Sequence, residues 1–94
     1  MTIYTVTGIA YDYPKSNCRC FGWFPFFEEA ESAVEKNKSG MDECGYYQWI
    51  VIEECCDGVY GSSIYETWYE FDENKYNRIE KPECFKNLIS WGIG

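Results

Sequence analysis

The sequence predicts an α+β fold, in which a mostly antiparallel twisted sheet of about five strands carries one amphipathic helix and a short C-terminal helical turn. Runs rich in β-branched and aromatic residues recur between turn-forming residues, as strands require. A single segment repeats apolar residues at spacings of three and four, which is typical of one helix face. The chain has 94 residues, which we interpret as a single domain, residues 1–94.

The first two strands are predicted to form a hairpin. Residues 2–11 are rich in Thr, Ile, Val and Tyr and contain no charge. Residues 12–17 are polar and include Pro14, which indicates a loop, and residues 18–24 form a second extended run. Two strands joined by a short polar loop favour antiparallel pairing.

A helix is predicted over residues 26–38. Pro25 suits the first helical turn, where its missing N–H has no partner to lose. Phe27, Ala30 and Val34 share one stripe, and glutamates occupy the other side. Gly40 predicts the end of the helix, because glycine readily adopts the left-handed cap. A helix at this position also leaves open a parallel pairing of strands two and three through a right-handed crossover.

The third strand, residues 46–56, is predicted to be central because residues 49–52 are continuously apolar. A turn follows at Asp57-Gly58. Residues 64–72 alternate with a period of two, which predicts a half-buried antiparallel strand.

The C-terminal part is predicted to contain a short fifth strand, residues 76–81, which ends at Pro82. Residues 83–89 predict the helical turn. The apolar ending, residues 90–94, is expected to dock on the body of the protein or on a partner, because chain ends are generally polar.

Composition favours a binding module over an enzyme. The chain has nine Tyr, six Phe, four Trp, sixteen acidic residues, eight basic residues and no histidine, for a net charge of −8. Such acidity argues against direct binding to nucleic-acid phosphates. The missing histidine removes the commonest acid–base catalyst and the commonest metal ligand. We therefore predict no catalytic residue and no cofactor.

The six cysteines are predicted to be reduced structural thiols. The first residues do not have the pattern of a signal peptide, and no apolar run reaches the length of a membrane span, so we expect a cytoplasmic protein in a host cell. Cys18 and Cys20 are separated by one residue, and Cys55 and Cys56 are adjacent, which does not fit a zinc motif. A soft metal at the first pair, or disulfide chemistry, is the alternative.

Two surfaces are candidates for docking on a protein. The first is an acidic face, which would be attracted to a basic surface of a partner; the alternative interpretation is a helix face that only contacts solvent. The aromatic candidate resembles interface hot spots, and its alternative interpretation is core packing. The acidic candidate comprises Glu28, Glu29, Glu31, Glu35, Asp42 and Glu43, and the aromatic candidate comprises Tyr65, Trp68, Tyr69, Tyr76 and Trp91.

Two other functions stay open. One is an oligomeric nucleotide-binding sponge that stacks bases on aromatic rings and draws positive charge from the few basic residues. The other is a small enzyme with paired carboxylates, in which a tryptophan raises a carboxyl pKa. The basic residues are Arg19, Lys75, Arg78 and Lys81, and the carboxylates are Glu53 with Glu54 and Glu66 with Glu70.

A further set of segments matches a known sequence pattern: residues 22–24, 27–30, 47–54, 68–69, 79–82 and 92–94. In these segments the chain resembles a family of short proteins from Firmicutes genomes and their phages and mobile elements. The resemblance covers most of the chain and implies neither an activity nor catalytic residues. Its genomic context implies a viral anti-defence protein, similar to anti-CRISPR inhibitors, that binds a host protein and occludes a nucleic-acid site on a defence complex. A homo-oligomer is also compatible with it.

Overall fold

The computed structural model describes residues 2–13, 15–16, 18–56 and 65–85. It confirms the α+β class. One antiparallel sheet has the strand order β2-β1-β3-β4-β5, and a helix packs on one of its faces. The strands are β1 (Ile3–Ala10), β2 (Cys18–Phe24), β3 (Tyr47–Cys55), β4 (Glu66–Asp72) and β5 (Lys75–Ile79).

The predicted hairpin of β1 and β2 is confirmed, whereas the parallel pairing of β2 with β3 does not occur. Both β2 and β3 are antiparallel to β1, so they run in the same direction, but β1 lies between them. The helix therefore connects two strands across a third one. The sequence spacing allows β2 and β3 to run in the same direction. They do not pair with each other, because the position beside β2 is taken by β1, its partner in the hairpin.

The central position of β3 is confirmed, since it pairs with β1 on one side and β4 on the other. Ile50 and Ile52 face the helix, and Val51 faces the opposite side. All three side chains are buried. This explains why the sequence of β3 is continuously apolar instead of alternating.

The helix, α1 (Phe27–Glu35), is shorter than predicted at its C-terminal end. Gly40 has the predicted left-handed backbone, at φ 64°, but Asn37, at φ 47°, already adopts this conformation three residues earlier. Asparagine tolerates this conformation, and its side chain is bonded within the loop: its amide donates to Asp42 Oδ1 at 2.7 Å. A 3-10 turn, Lys38–Gly40, follows. Among the described residues, no helix has the length and apolar character that crossing a membrane requires.

The sheet carries a buried cluster on each face. The helix side is filled mainly by α1, while on the opposite side Phe85, in the 3-10 turn Glu83–Phe85, stacks on Trp68 with ring centroids 5.4 Å apart. β4 is antiparallel as predicted, but at its centre both faces are covered, because Trp68 and Tyr69 are both buried. The helix-side cluster contains Val6, Ala30, Ala33, Val34, Met41, Ile50, Ile52, Tyr69 and Tyr76, and the opposite cluster contains Ile9, Val51, Trp68 and Phe85.

The predicted C-terminal helical turn is present as this 3-10 turn. The predicted turn at residues 57–58, the rest of the helical turn at residues 86–89 and the apolar ending at residues 90–94 lie outside the described residues.

Candidate functional site

One end of the sheet combines exposed aromatic side chains with carboxylates. At this end β1 begins and β3 ends, because Tyr4 pairs with Glu54, and β2 ends beside the same Tyr4. The helix starts directly after β2. We call this region the acidic–aromatic surface and define it by Phe26, Glu28, Glu29, Glu54 and Tyr65.

Two aromatic side chains of this surface are open to solvent. Phe26 is 61% exposed and Tyr65 is 69% exposed. Phe26 occupies the N-cap position of α1 with an extended backbone, φ −130° and ψ 139°, and no side-chain hydrogen bond caps the helix. Ser, Thr, Asp or Asn at this position would satisfy a free backbone N–H. Phe26 therefore occupies a position where a polar residue would stabilise the helix more.

A cleft of about 320 Å³ is lined by Tyr65. Tyr4 and Phe27 meet edge to face in it, with ring centroids 6.0 Å apart. The hydrogen bond to Glu54 raises the pKa of Tyr4 above its ordinary value. The lining is completed by Ile52, Glu54, Glu66, Thr67 and Arg78.

The six acidic residues predicted to share one docking face have different structural roles. Glu28, Glu29 and Glu35 are exposed. Glu31 accepts a hydrogen bond from the Tyr69 hydroxyl at 2.6 Å and so ties α1 to β4. Asp42 accepts hydrogen bonds from the Asn37 amide and the Gly45 N–H, and Glu43 pairs with Arg19 at 2.8 Å.

The aromatic residues predicted to share a surface do not lie together. Tyr65 is exposed, but Tyr69 and Tyr76 are buried under α1, and Trp68 is buried on the opposite face of the sheet. The Tyr76 hydroxyl donates to the buried Tyr47 carbonyl at 2.6 Å. These three residues belong to the core because the helix and Phe85 cover the two faces of β4. Trp91 lies outside the described residues.

The basic residues considered for a nucleotide sponge are distributed over both edges of the sheet. Arg19 lies on edge strand β2, whereas Lys75 and Arg78 lie on edge strand β5. Three of the four contact acids: Arg19 pairs with Glu43, Arg78 lies 3.8 Å from Glu31, and Lys81 lies 3.1 Å from Glu66.

Glu53, Glu54 and Glu66, three of the four carboxylates considered for an enzyme, are also engaged in contacts. Glu66 Oε1 accepts a hydrogen bond from Trp68 Nε1 at 3.0 Å, in addition to the contact with Lys81. Glu53 is completely buried, opposite Glu66 in the register of β3 and β4. Glu54 points to the other face of the sheet, toward Tyr4.

The cysteines are free thiols in the structure. Cys55 is buried and Cys56 is exposed, as expected for adjacent residues at the end of a strand. Burial raises the pKa of Cys18 to about 11. Within the described ranges, no three Cys, Asp or Glu side chains are grouped as a metal site would need.

Neither a scan against protein-family models nor searches of the curated proteins and the solved structures found a match to this chain. The family resemblance noted from the sequence stays a prediction.

Sequence reasoning did not single out Phe26 and Glu54 as site residues. Phe26 was assigned to the helix, although a large apolar residue directly before the glutamates of the first turn is an unusual N-cap. Glu54 was considered only with Glu53. The alternation of strand faces separates these two residues, and the pairing of β1 with β3 then places Glu54 opposite Tyr4.

Proposed function

We propose that this protein is a small protein-binding module that docks its acidic–aromatic surface on a basic surface of a host protein. The observation that carries the proposal is Phe26, an exposed aromatic residue at a helix N-cap, next to Glu28 and Glu29 in the first turn. Proteins depart from locally favourable residues mainly at functional sites. Tyr65 supplies a second aromatic anchor near Glu54.

The chemistry of this surface specifies the partner. Aromatic side chains that enter a partner's pocket contribute much of the energy of an interface. Carboxylates around them favour a basic rim and accelerate encounter. A nucleic-acid-binding groove of a host defence protein has this character, and a bound acidic module would occlude it. The family resemblance and the net charge of −8 support this version, which makes the protein an anti-defence inhibitor and not an enzyme.

A capture experiment with matched variants tests the proposal. Wild-type protein is immobilised, a bacterial host lysate is passed over it, and retained proteins are identified by mass spectrometry. We expect a basic protein whose affinity falls about 30-fold or more when Phe26→Ser is combined with Glu28→Lys and Glu29→Lys. Glu35→Lys is the control, because Glu35 is exposed at the other end of α1 and carries the same charge. Equal loss of affinity in this control, or none in the triple variant, would contradict the proposal.

A nucleotide sponge is the second candidate, supported by the cleft in which Arg78 lies near the rings of Tyr4, Phe27 and Tyr65. A guanidinium with neighbouring aromatic rings suits a phosphorylated base. The test is a thermal-shift series with cyclic mononucleotides and dinucleotides. Stabilisation that Arg78→Gln abolishes would favour the sponge, and no shift with any nucleotide would exclude it.

A further inference from the structure

Strand β2 forms one edge of the sheet. Among the described residues it pairs only with β1, so its outer side presents backbone N–H and C=O groups. Such edges are templates for a further strand, and proteins usually protect them with charged residues. The other edge strand, β5, carries two basic residues in five, whereas β2 carries one, Arg19, in seven.

β2 also contains a bulge. The register with β1 shifts at Phe21, which has no counterpart on the neighbouring strand. The bulge directs the Phe21 ring toward the helix side, where it packs edge to face on Tyr47 with ring centroids 5.2 Å apart. The edge is therefore interrupted once, and the ring adds apolar surface beside it.

A groove of about 490 Å³ runs between β2 and the segment from α1 to Glu43. Its apolar lining includes Val6, Phe24, Ala33 and Met41, together with Phe21. Arg19, Lys38 and Glu43 are its charged residues. The Arg19 guanidinium lies 5.3 Å from the centre of the Phe21 ring. The groove thus has two cations and one carboxylate in a chain whose net charge is −8, so its charge is opposite to that of the whole molecule.

We propose that the β2 edge binds an extended acidic and apolar segment of a partner protein, which adds to the sheet as a sixth strand. Because side chains of a strand alternate between faces, every second residue of this segment faces the groove. An apolar residue occupies the groove between β2 and Met41, and acidic residues on either side contact Arg19 and Lys38. This site adjoins the acidic–aromatic surface, since Lys38 also lines a cavity with Glu28 and Glu29, but its own cations select the opposite charge.

The occupant is a partner segment and not a second copy of this chain. A dimer formed through β2 would bring together two molecules of net charge −8, and like charges at an interface oppose association. A short acidic segment instead places its charge against the groove, where Arg19 and Lys38 outnumber the one carboxylate, Glu43.

The test uses a synthetic peptide with the predicted pattern, fluorescein-labelled Glu-Val-Leu-Val-Asp-Val. Its Glu, Leu and Asp share one face. Fluorescence anisotropy measures binding to the full chain, and the control replaces both acids with Lys. We expect the acidic peptide to bind about tenfold or more tightly than the control, and chemical shifts of the β2 amides to change on binding.

Protein variants test whether the charges of the groove determine its preference for the acidic peptide. Arg19→Glu with Lys38→Glu should lower affinity for the acidic peptide about tenfold or more and raise affinity for the lysine control. Glu43→Gln should increase affinity for the acidic peptide, because it releases Arg19 from a 2.8 Å ion pair. Two further peptides carry N-methyl groups on every second residue. The first peptide is methylated on one set of alternate residues, and the second peptide is methylated on the other set. Strand addition predicts that only one of these two peptides loses binding, since only one set of N–H groups faces β2.

Several results would overturn the proposal. These are no binding of the acidic peptide at millimolar concentration, equal binding of the lysine control, or binding that neither N-methylated peptide reduces. A concentration-dependent dimer with altered β2 amides, detected by sedimentation and NMR, would show that the edge is occupied by a second copy. None of these outcomes depends on the capture experiment, so the two proposals fail independently.

Discussion

Two tyrosine hydroxyls connect buried parts of the molecule. Tyr76 donates to the main-chain carbonyl of Tyr47, and Tyr69 donates to Glu31, both at 2.6 Å. We expect Tyr76→Phe to lower the free energy of unfolding by about 1–3 kcal/mol, because a buried carbonyl loses its donor. Tyr69→Phe should cost less, about 1 kcal/mol, because Glu31 stays partly exposed near Arg78. Urea denaturation measures both values. The reverse order would contradict the roles given to these hydroxyls.

The Cys18 thiol should make stability depend on alkaline pH. Burial raises its pKa from 9.0 to about 11 in the folded protein. The unfolded state therefore releases the thiol proton first, and the free energy of unfolding falls as pH rises from 9.0 to about 11. Urea midpoints under reducing conditions should decline over this window, and less steeply in Cys18→Ala. The raised pKa values of Tyr69 and Tyr76 add to the decline above pH 10.0 in both proteins, so the difference between the slopes isolates Cys18.

The aromatic residues show that burial of a single side chain could not be predicted from the sequence. Trp68, Tyr69 and Tyr76 were predicted with Tyr65 and Trp91 as one aromatic surface, although the predicted alternation of β4 places Trp68 and Tyr69 on opposite faces. It could not show that α1 covers one face of β4 and Phe85 covers the other. Tyrosine is compatible with either a core or a surface, because its ring is apolar and its hydroxyl is polar. Only the tertiary contacts distinguish these cases.

The start of α1 should show a conflict between stability and binding. Phe26 has the extended backbone of an N-cap but no capping group. Phe26→Ser should raise the free energy of unfolding by about 0.5–2 kcal/mol and should weaken capture of the partner. Thermal denaturation and partner affinity are measured on the same preparation. A variant that loses both would mean that Phe26 is structural, and one that keeps full affinity would remove Phe26 from the docking surface.

Strands β1 and β2 depend on a glycine between two rings. A Cβ at Gly8 would lie 2.6 Å from Phe21 Cε2 and 3.0 Å from Tyr47 Cδ1. Gly8→Ala should therefore displace the Phe21 ring and cost about 1–3 kcal/mol. In a double-mutant cycle, Gly8→Ala should cost less when Phe21 is already alanine. Additive free energies would show that the two residues do not interact. A displaced Phe21 should also weaken binding of the acidic peptide in the groove.

Element types could be predicted from the sequence better than element boundaries and neighbours. The apolar run of β3 indicated a central strand, and the three-and-four spacing indicated α1; both are confirmed. The end of α1 was predicted too late because Asn37 already takes the left-handed conformation, three residues before Gly40, which is left-handed as well. The insertion of β1 between β2 and β3 depends on which strands pair, and local periodicity does not specify pairing.

At the scale of the whole molecule, two surfaces differ in charge. The acidic–aromatic surface carries Glu28, Glu29 and Glu54, and the β2 groove carries Arg19 and Lys38 together with Glu43. Of the acidic residues predicted as one docking face, Glu28 and Glu29 belong to the first surface. Glu31, Asp42 and Glu43 are engaged in contacts. The net charge of −8 gave no indication of the second surface. Its two cations are far apart in the sequence, and only the fold brings them to one groove.

This charge distribution should give stability and partner binding opposite responses to salt. Sixteen acids and eight bases leave net repulsion in the folded protein, and the exposed ion pair of Arg19 with Glu43 contributes little against it. Raising NaCl to about 0.15 M shortens the screening length to about 8 Å and should relieve this repulsion. We expect a higher melting temperature; relief of about 1 kcal/mol corresponds to about 4–8 °C in a domain of this size.

Binding to the basic partner should weaken over the same range of salt, mainly through a slower association rate, because the attraction between the two surfaces is screened. Differential scanning fluorimetry and surface plasmon resonance follow the two responses. Glu28→Gln with Glu29→Gln is the matched variant, and both of its responses should be smaller. A melting temperature that falls with salt would mean that ion pairs outweigh repulsion in this fold. An association rate that is independent of salt would mean that the docking surface is not the acidic one.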